Sequence, residues 1–416
     1  MVARHGFEPQ FLRSERSGLP LADRAKTGYF SLFWGISLVF GKNKGLECVV
    51  VLWTKRSRCI IIHKTLGFLF CLFFIKVMIS VKNEGIILES RDGMEFESEG
   101  VLNPACIEKN GFLHMFYRAV RKGNFSTIGY CRLKDNKVVE RKDHPVIVPE
   151  YKYESQGIED PRITLLDGVY YLLYTAYDGK NALVAYATSN DLVIFEKQGL
   201  ITPQISYDEA EDIFRNSGIN KKYIFFEQIF RETKGDGVYL WEKDAMLFPK
   251  KIKGKMALIH RILPGIQICY FDNFDQLNQT FWRDYLKRLG GSVILDPKFQ
   301  FENGYIGGGC IPIETEDGWL LIYHAAEETI EGRIYRTGVV LLDKNDPQKV
   351  IGRLSYPLFS PEEQWEKEGI VNNVVFPTGT WLDGERLYIY YGAADKRIGV
   401  KSLKVSQLLE ELKKII

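Results

Sequence analysis

The 416-residue sequence is short of the features that mark several large classes of protein. Its formal net charge is only +2, with acidic and basic residues interspersed, so it lacks the basic face of a nucleic-acid-binding protein. No tract is polar enough to be disordered. None of its seven cysteines forms a CxxC pair, and an odd number is a poor disulfide framework. We therefore expect reduced, buried thiols in a cytoplasmic protein.

Cofactor and metal signatures are missing as well. The sequence has no glycine-rich loop of the nucleotide-binding kind, and no histidine or cysteine cluster has metal-ligand spacing. The sequence therefore predicts neither a cofactor nor a metal ion.

Long hydrophobic runs are also scarce. The apolar stretch 65–81 has an uninterrupted core of about 10 residues, whereas a bilayer-spanning helix needs roughly 20. Residues 1–77 are open to three interpretations: a mis-annotated extension before a true start at Met78, a signal or membrane anchor, or a real domain. An anchor would make the protein exported or membrane-bound. We assign the main folded domain to residues 78–416.

From Met78 onward, a turn glycine followed by a buried-strand pattern recurs five times. The copies begin at Gly111, Gly168, Gly254, Gly318 and Gly384, and each continues with a run such as VYYLLYTAY. A second apolar strand follows each copy after a turn. Spacings of 57 to 86 residues fit units of four strands with loops. The sequence therefore predicts an all-β fold, a five-bladed β-propeller, with a β-sandwich as the alternative.

The innermost strand of each propeller blade lines the central channel. We take the five copies as these innermost strands, so that polar residues at their ends are candidates for a site in the channel. Helix is predicted at residues 207–213, 277–289 and 405–416.

The strongest local signal is the segment 157–164, GIEDPRIT, directly before the second copy. Glu159, Asp160 and Arg162 form an acidic pair and a base beside a proline that fixes the backbone. A glycosidase needs a carboxylic acid to protonate the leaving oxygen, and a crowded acidic pair can hold one proton near neutral pH. The alternative is an Asp-Pro turn with a surface ion pair.

This segment and six later ones resemble, in order, the motifs of glycoside hydrolase family 130. They are residues 157–179 (GIEDPRITLLDGVYYLLYTAYDG), 243–249 (KDAMLFP), 257–261 (ALIHR), 307–312 (GGGCIP), 318–324 (GWLLIYH), 373–379 (NVVFPTG) and 390–395 (YYGAAD). The resemblance implies a five-bladed propeller that cleaves β-mannosides with inversion. It also implies that Asp160 is the proton donor and acts through a substrate hydroxyl.

Further candidates for binding sugar or phosphate come from strand ends and from the matched motifs. They are Arg118, Glu159, Arg162, Tyr177, Lys243, Asp244, His260, Arg261, His324 and Asp395. The resemblance implies that Asp244 contacts the sugar next to the scissile bond. The alternatives are a buried ion pair for Arg118 and satisfied core positions for His260 and His324.

The family contains both phosphorylases and hydrolases, which differ in the molecule that attacks the sugar and in the residues that bind or activate that molecule. A phosphorylase needs cations for a dianionic phosphate, and a hydrolase needs a carboxylate base for water. Two acids depart from the phosphorylase pattern: Glu302 lies before the GGG motif, where a lysine is common, and Glu242 lies beside Lys243. An insertion at 206–239 is either a solvated loop or a lid that supplies a base.

These departures favour an inverting hydrolase of β-1,2-linked manno-oligosaccharides, with Glu227 and Glu242 as candidate bases. Its acid and base carboxyls should then be roughly 6.5–9.5 Å apart. The alternative is a phosphorylase that releases mannose 1-phosphate, with inorganic phosphate as second substrate. A third reading is a carbohydrate-binding propeller without turnover, for which an acid at Asp160 would be unnecessary. The sequence leaves homo-oligomer formation open.

Overall fold

The computed structural model describes residues 36–38, 50–53, 59–62, 79–235 and 237–414. The chain divides after Met78 into two compact units. The described part of the first unit is a three-stranded antiparallel sheet of β1 (Ile36–Leu38), β2 (Val50–Trp53) and β3 (Cys59–Ile62). Most of the apolar stretch 65–81 lies outside the described residues. Within the described part of the chain, no helix has the length and apolar character needed to cross a membrane.

The second unit is built almost entirely of antiparallel strands. In chain order these are β4 (Lys82–Leu88), β5 (Gly100–Lys109), β6 (Phe112–Arg121), β7 (Phe125–Lys134), β8 (Lys137–Arg141), β9 (Gly157–Leu166), β10 (Val169–Tyr177), β11 (Ala182–Ser189), β12 (Glu196–Leu200), β13 (Lys243–Leu247), β14 (Met256–Arg261), β15 (Ile266–Phe271), β16 (Val293–Leu295), β17 (Tyr305–Gly308), β18 (Ile313–Glu314), β19 (Trp319–Thr329), β20 (Gly332–Leu342), β21 (Val350–Arg353), β22 (Val375–Asp383), β23 (Arg386–Ala393) and β24 (Arg397–Lys404).

These strands form five blades, so the predicted five-bladed β-propeller is confirmed. The blades are β5–β8, β9–β12, β13–β16, β17 with β19–β21, and β22–β24 with β4. The short strand β18 pairs with β19, and a single parallel bridge joins β7 to β9. The fifth blade is completed by β4, which pairs antiparallel with β24. Strands from both ends of the described unit therefore close the ring.

The five sequence repeats are the second strands of the blades, not the innermost ones as predicted. They correspond to β6, β10, β14, β19 and β23, whereas the first strands contact one another from blade to blade. Both faces of a second strand are covered by neighbouring blades, which explains the continuous apolar runs. The polar groups of the channel therefore come mainly from first strands and from the ends of second strands.

Helices are few and lie in the connections between strands. They are α1 (Tyr207–Ser217), α2 (Lys221–Lys234), α3 (Gln279–Leu286), α4 (Gln364–Lys367) and α5 (Val405–Lys413). The predictions at 207–213, 277–289 and 405–416 correspond to α1, α3 and α5. Helix α1 begins at Ser206, whose side chain accepts from Glu209 N, and ends at the left-handed Gly218. Helix α2 was not predicted, and with α1 it makes the insertion a helical pair.

A buried acid recurs in four blades. A fully buried glutamate precedes the first strand and accepts a hydrogen bond from a tyrosine hydroxyl on the second strand. The pairs are Glu97–Tyr117 at 2.8 Å, Glu154–Tyr174 at 2.7 Å, Glu302–Tyr323 at 2.5 Å and Glu366–Tyr391 at 2.5 Å. A cation from the third or fourth strand of the same blade completes each group, namely Arg141, Lys197, Arg353 and Lys401 at 2.8, 2.6, 2.7 and 3.1 Å. We call this arrangement the acid–tyrosine clasp.

The clasp supplies the ion pair and hydrogen bonds without which burial of the glutamate carboxylate would be unfavourable. Transferring a carboxylate from water into a protein interior is unfavourable by several kcal/mol unless ion pairs and hydrogen bonds compensate. In the second blade, the remaining oxygen of Glu154 accepts from the backbone N–H groups of Glu150 and Tyr151. The fourth and fifth blades repeat this pattern. Each clasp thus fixes the loop that delivers a first strand to the channel.

The closure of the ring by β4 gives a test by truncation. A chain starting at Met78 keeps all five blades and is expected to unfold at the same temperature as the full chain. A chain starting at Ser90 lacks β4 and leaves the edge of β24 unpaired, so its midpoint should fall by at least roughly 5 °C. Thermal unfolding followed by circular dichroism measures both. Equal midpoints for the two truncations would contradict the role of β4.

Candidate active site

The first strands of three blades each carry a polar residue with a left-handed backbone. Asn103, Asp160 and Asp244 have φ values of 48°, 50° and 58°. The pairing register of each strand shifts at this residue, which marks a β-bulge. Asparagine and aspartate tolerate this conformation because their short side chains hydrogen-bond locally. The bulges therefore bring three polar side chains together where the first strands meet.

Asp160 lies among hydrogen-bond donors and cations. Asn103 Nδ2 donates to Asp160 Oδ1 over 2.8 Å, and Arg118 Nη1 lies 3.5 Å from the same oxygen. Burial alone would raise the pKa of this carboxyl, but Arg118, Lys243 and the Asn103 hydrogen bond together hold its pKa below its ordinary value. In this environment Asp160 is ionised at neutral pH.

Glu159 joins two cations beside Asp160. Arg118 Nη2 donates to Glu159 Oε1 over 2.8 Å, and Lys243 Nζ donates to Oε2 over 3.1 Å. The ion-pair interpretation of Arg118 is therefore observed. Its side chain is nevertheless 12% exposed and that of Lys243 is 19% exposed, so both cations also reach the surface of the site.

Tyr177 and Asp395 lie at the edge of this cluster. Tyr177 Oη donates to Gly179 O over 2.9 Å, and burial followed by the charge of Glu159 raises its pKa. Asp395 follows β23. Burial would lower the pKa of Arg118, but the charges of Glu159, Asp160 and Asp395 raise it above its ordinary value. Asp395 thus acts on the same guanidinium as the EDPR acids.

Arg162 is enclosed and fixes backbone rather than facing the channel. Its guanidinium donates to Gly309 O at 2.6 Å, to Asp160 O and Pro161 O at 3.1 Å each, and to Gly308 O at 3.4 Å. Only 1% of the residue is exposed. The prediction that Arg162 binds sugar or phosphate directly is therefore not supported; it ties the second blade to the fourth.

Asp244 is, after Glu159 and Asp160, the third buried carboxyl of the site. Arg261 Nη1 lies 3.0 Å from Asp244 Oδ2, and His324 Nε2 lies 3.8 Å from the same oxygen. Burial raises the pKa of Asp244, although the charges of Arg261 and Arg162 oppose the increase. A Cβ atom at Gly307 would lie 2.4 Å from His324 Cε1 and 2.8 Å from Asp244 Oδ2, so only glycine fits there.

An aromatic and cationic group adjoins Asp244. The guanidinium carbons of Arg261 and Arg333 each lie 5.3 Å from the ring centroid of Tyr305. The hydroxyl oxygens of Tyr305 and Tyr335 are 2.5 Å apart. Each guanidinium group also pairs with a carboxylate, Arg333 with Glu328 at 2.6 Å and Arg261 with Asp244. Together they form an aromatic wall with guanidinium and hydroxyl groups, which can donate hydrogen bonds to an oxyanion.

His324 completes this wall from the fourth blade. Its ring is fully buried and stacks on Phe376 with centroids 4.2 Å apart. Sequence analysis found Arg261 and His324 but missed Asn103, Tyr305, Arg333, Tyr335 and Phe376. Tyr305 lies two residues before the GGG motif, which was a usable signal. Arg333 and Tyr335 come from the start of β20, where nothing in the sequence marks them.

His260 and Glu242 lie behind the site rather than in it. Both side chains are fully buried, and His260 Nδ1 is 3.0 Å from each carboxyl oxygen of Glu242. The carboxylate is thus enclosed and paired with His260, away from the open surface of the site. The predictions that Glu242 is a general base and that His260 contacts the substrate are therefore not supported.

Glu227 is buried in the helical insertion. It lies on α2, is only 3% exposed, and its Oε2 has no hydrogen-bond partner among the described residues. Burial, followed by the charges of Glu242 and Glu211, raises its pKa well above the ordinary value. A carboxyl that stays protonated cannot activate water, so the base role predicted for Glu227 is not supported either.

The chemistry of the described residues is that of carboxylates and cations. No group of three histidine, cysteine or acidic side chains in the described part of the chain is arranged to hold a metal ion. Cys106, Cys131, Cys269 and Cys310 carry free thiols. Burial raises the pKa of Cys131 and of Cys310 to about 12, so neither is a thiolate nucleophile.

The family model that matches this chain covers the second of its two compact units. The model of a family described as beta-1,4-mannooligosaccharide phosphorylase matches residues 88–414. A 1,2-beta-oligomannan phosphorylase from Thermoanaerobacter sp. (strain X514) is 36% identical over 325 residues, which cover 76% of this chain and 93% of that protein. A beta-1,2-mannobiose phosphorylase from the same organism is 37% identical over 325 residues, covering 74% and 90%.

Solved structures agree on the fold. The beta-1,2-mannobiose phosphorylase of Listeria innocua, in complex with beta-1,2-mannobiose, superposes with a TM-score of 0.60 at 23% identity. The match covers 81% of this chain and 100% of that one. At this identity the comparison supports the architecture alone.

The protonation of Glu227 gives a test by pH. The fold keeps this acid neutral, whereas the unfolded chain ionises it above its ordinary pKa of 4.5, so it lowers stability increasingly as pH rises. Glu227→Gln should therefore unfold at a higher temperature than the unmodified protein at pH 8, with the difference shrinking towards pH 5. Melting curves across this range measure it.

The control is Glu232→Gln on the same helix, because Glu232 is exposed. It should leave the melting temperature unchanged at every pH. An effect of Glu227→Gln that is the same at pH 5 and pH 8 would contradict a raised pKa.

Proposed function

Because the chain belongs to glycoside hydrolase family 130, we propose that it is an inverting phosphorylase of β-1,2-linked manno-oligosaccharides that releases mannose 1-phosphate. The observation that carries this proposal is the set of cations around three buried carboxyls. Arg118 and Lys243 pair with Glu159 beside Asp160, and Arg261 pairs with Asp244. The two relatives from Thermoanaerobacter, both phosphorylases covered over 90% or more of their length, support the same assignment.

This proposal replaces the preference for hydrolysis drawn from the sequence. That preference rested on Glu302 and Glu242 as departures from a cationic pattern. Glu302 accepts from Tyr323 and Arg353 in the clasp of the fourth blade, and Glu242 is occupied by His260. Both acids therefore serve the blades and remove no positive charge from the site. With Glu227 protonated as well, none of the predicted bases is left to activate water.

The charges around Asp160 fit a reaction that begins with an anion. Arg118 and Lys243 hold the pKa of Asp160 down, which is unfavourable for a proton donor. A phosphate dianion bound beside these cations would offset their field and raise the pKa of Asp160. Binding of the nucleophile thus prepares the acid. A neutral water molecule would have no such effect.

The proposed step exchanges one bond at the anomeric carbon for another. A phosphate oxygen attacks C1 of the mannosyl unit from the face opposite the leaving group, and the bond from C1 to the glycosidic oxygen breaks. The leaving oxygen receives a proton that originates on Asp160 and passes through a substrate hydroxyl, as the family resemblance implies. The products are mannose 1-phosphate of inverted configuration and a shortened oligosaccharide.

Phosphate dependence tests the proposal directly. With β-1,2-mannobiose and inorganic phosphate, the protein should release mannose 1-phosphate and mannose in equal amounts. Without phosphate, cleavage should stop, because no other nucleophile is activated. Product analysis by chromatography, with β-1,4-mannobiose in parallel, measures both reaction and linkage. Release of free mannose alone, at a rate independent of phosphate, would establish a hydrolase instead.

Asp160→Asn tests the proton donor. An amide keeps the hydrogen bond with Asn103 but carries no transferable proton, so kcat should fall by at least about 100-fold. Asp167→Asn is the matched control, because Asp167 lies in the exposed turn between β9 and β10 and pairs with Lys251. The control should keep full activity. A variant at position 160 that keeps most of its activity would disprove the assignment.

A further inference from the structure

The third blade carries an altered version of the acid–tyrosine clasp. His260 on β14 occupies the position that the clasp tyrosine has in the other blades: like Tyr117 and Tyr174, it lies opposite the bulge of the first strand. The acid is Glu242, directly before β13. On the third strand, His260 pairs with Gln267, where the first, fourth and fifth blades have glycine.

Histidine offers two separate nitrogen atoms to its partners. Its Nδ1 faces Glu242 at 3.0 Å, and its Nε2 lies 2.8 Å from Tyr285 Oη on helix α3. In the first and fourth blades, the second partner of the clasp tyrosine is the arginine of the same clasp, whereas the second partner of His260 lies on a helix. The third blade is thereby linked to a helix outside its own sheet.

Two hydrogen bonds position this ring. His260 Nδ1 faces the carboxylate oxygens of Glu242, which accept, so Nδ1 donates. His260 Nε2 forms the second bond with Tyr285 Oη, which also lies 3.0 Å from Ile268 O. His260 thus supplies the hydrogen-bond donor that Tyr117, Tyr174, Tyr323 or Tyr391 supplies in the other blades.

The two ends of this group adjoin the cations of the site. Glu242 is followed directly by Lys243, which donates to Glu159 beside Asp160. His260 is followed directly by Arg261, which pairs with Asp244. The backbones at these cations pair with each other across β13 and β14. Any movement of the buried group therefore shifts both cations.

The far end of the group reaches the helical insertion. Tyr285 lies on α3, whose neighbouring Trp282 packs edge-on against His260 with centroids 5.4 Å apart. Arg283 of α3 pairs with Glu209 of α1 at 2.6 Å. From α2, the carboxyl of Glu227 lies near Glu242, and Tyr207 of α1 and Cys269 of β15 are further titratable groups near it. Helices that lie outside the five sheets are thus in contact with the base of the site.

We propose that Glu242, His260 and Tyr285 form a positioning triad that holds Lys243 and Arg261 in place for the phosphate. The proposal rests on the phosphorylase function argued above. None of the three residues touches substrate; they act through the two cations that follow them in the chain. The helical insertion contributes by holding Tyr285, so it takes part in anion binding without supplying a ligand.

Kinetics of Tyr285→Phe and His260→Tyr test the triad. Tyr285→Phe removes only the hydroxyl that His260 contacts. His260→Tyr introduces the residue that the other blades use and keeps a donor for Glu242, but it removes the nitrogen atom that contacts Tyr285. Both variants should raise the KM for phosphate about tenfold, because misplaced cations bind the anion less well. The KM for β-1,2-mannobiose should change less than twofold.

The matched control is Tyr391→Phe in the fifth blade. It breaks the clasp with Glu366, but its chain neighbours Tyr390 and Gly392 carry no charge, so no cation of the site follows it in the chain. It should lower the melting temperature at least as much as Tyr285→Phe while leaving the KM for phosphate unchanged. Equal increases in the KM for phosphate in Tyr285→Phe and Tyr391→Phe, or no increase in either, would overturn the proposal.

A spectroscopic measurement separates this proposal from the proposed function. In protein labelled with 15N-histidine, His260 should show a proton on Nδ1 at the downfield position of a hydrogen bond to a carboxylate, and Glu242→Gln should shift this proton upfield. The signal is assigned by its loss in His260→Tyr. A His260 whose Nδ1 carries no proton would overturn the triad whatever the reaction. A hydrolase whose His260 keeps this hydrogen bond would refute the phosphorylase and retain the triad, whose effect would then be measured on the KM for β-1,2-mannobiose.

Discussion

A hydrogen bond from a buried tyrosine to a buried glutamate organises four of the five blades. The glutamate is held in the loop before the first strand, the tyrosine in the middle of the second strand, and a cation farther out in the same blade. One polar contact therefore fixes the relation between three parts of a blade that apolar packing alone would leave free to slide. The carboxylate is stable there only when all its partners are present.

The clasp also explains why the site is where it is. In the first and second blades, the strand that leaves the glutamate soon reaches the bulge of Asn103 or Asp160, and the clasp tyrosine lies opposite that bulge. The residue after the tyrosine in the first blade is Arg118, which contacts both EDPR acids. The left-handed residues of the site are thus held by a rigid support directly beneath them, as strained positions require.

The sequence was informative about strands and weak about burial of charge. Glycine followed by a long apolar run located the second strand of each blade, and the EDPR segment located Asp160 and its neighbours. Periodicity does not reveal which acids are buried, so Glu242 and Glu302 were taken for acids that change the charge of the site. An aromatic residue precedes the acid in all five blades, at Phe96, Tyr153, Trp241, Phe301 and Trp365. The aromatic–glutamate dipeptide could therefore have identified the buried acids. Contacts such as that of Arg333 with Tyr305 join separate parts of the chain, and no sequence pattern predicts them.

The pairing of β4 with β24 has a consequence for synthesis on the ribosome. Glu84 accepts from Ser402, which lies 318 residues farther along the chain. The N-terminal strand of the propeller must therefore wait, unpaired, until almost the whole chain has emerged. Until then, the growing ring presents open sheet edges that can pair with other chains. The lysine and glutamate at the start of β4, Lys82 and Glu84, are the kind of charges that keep a waiting strand from aggregating.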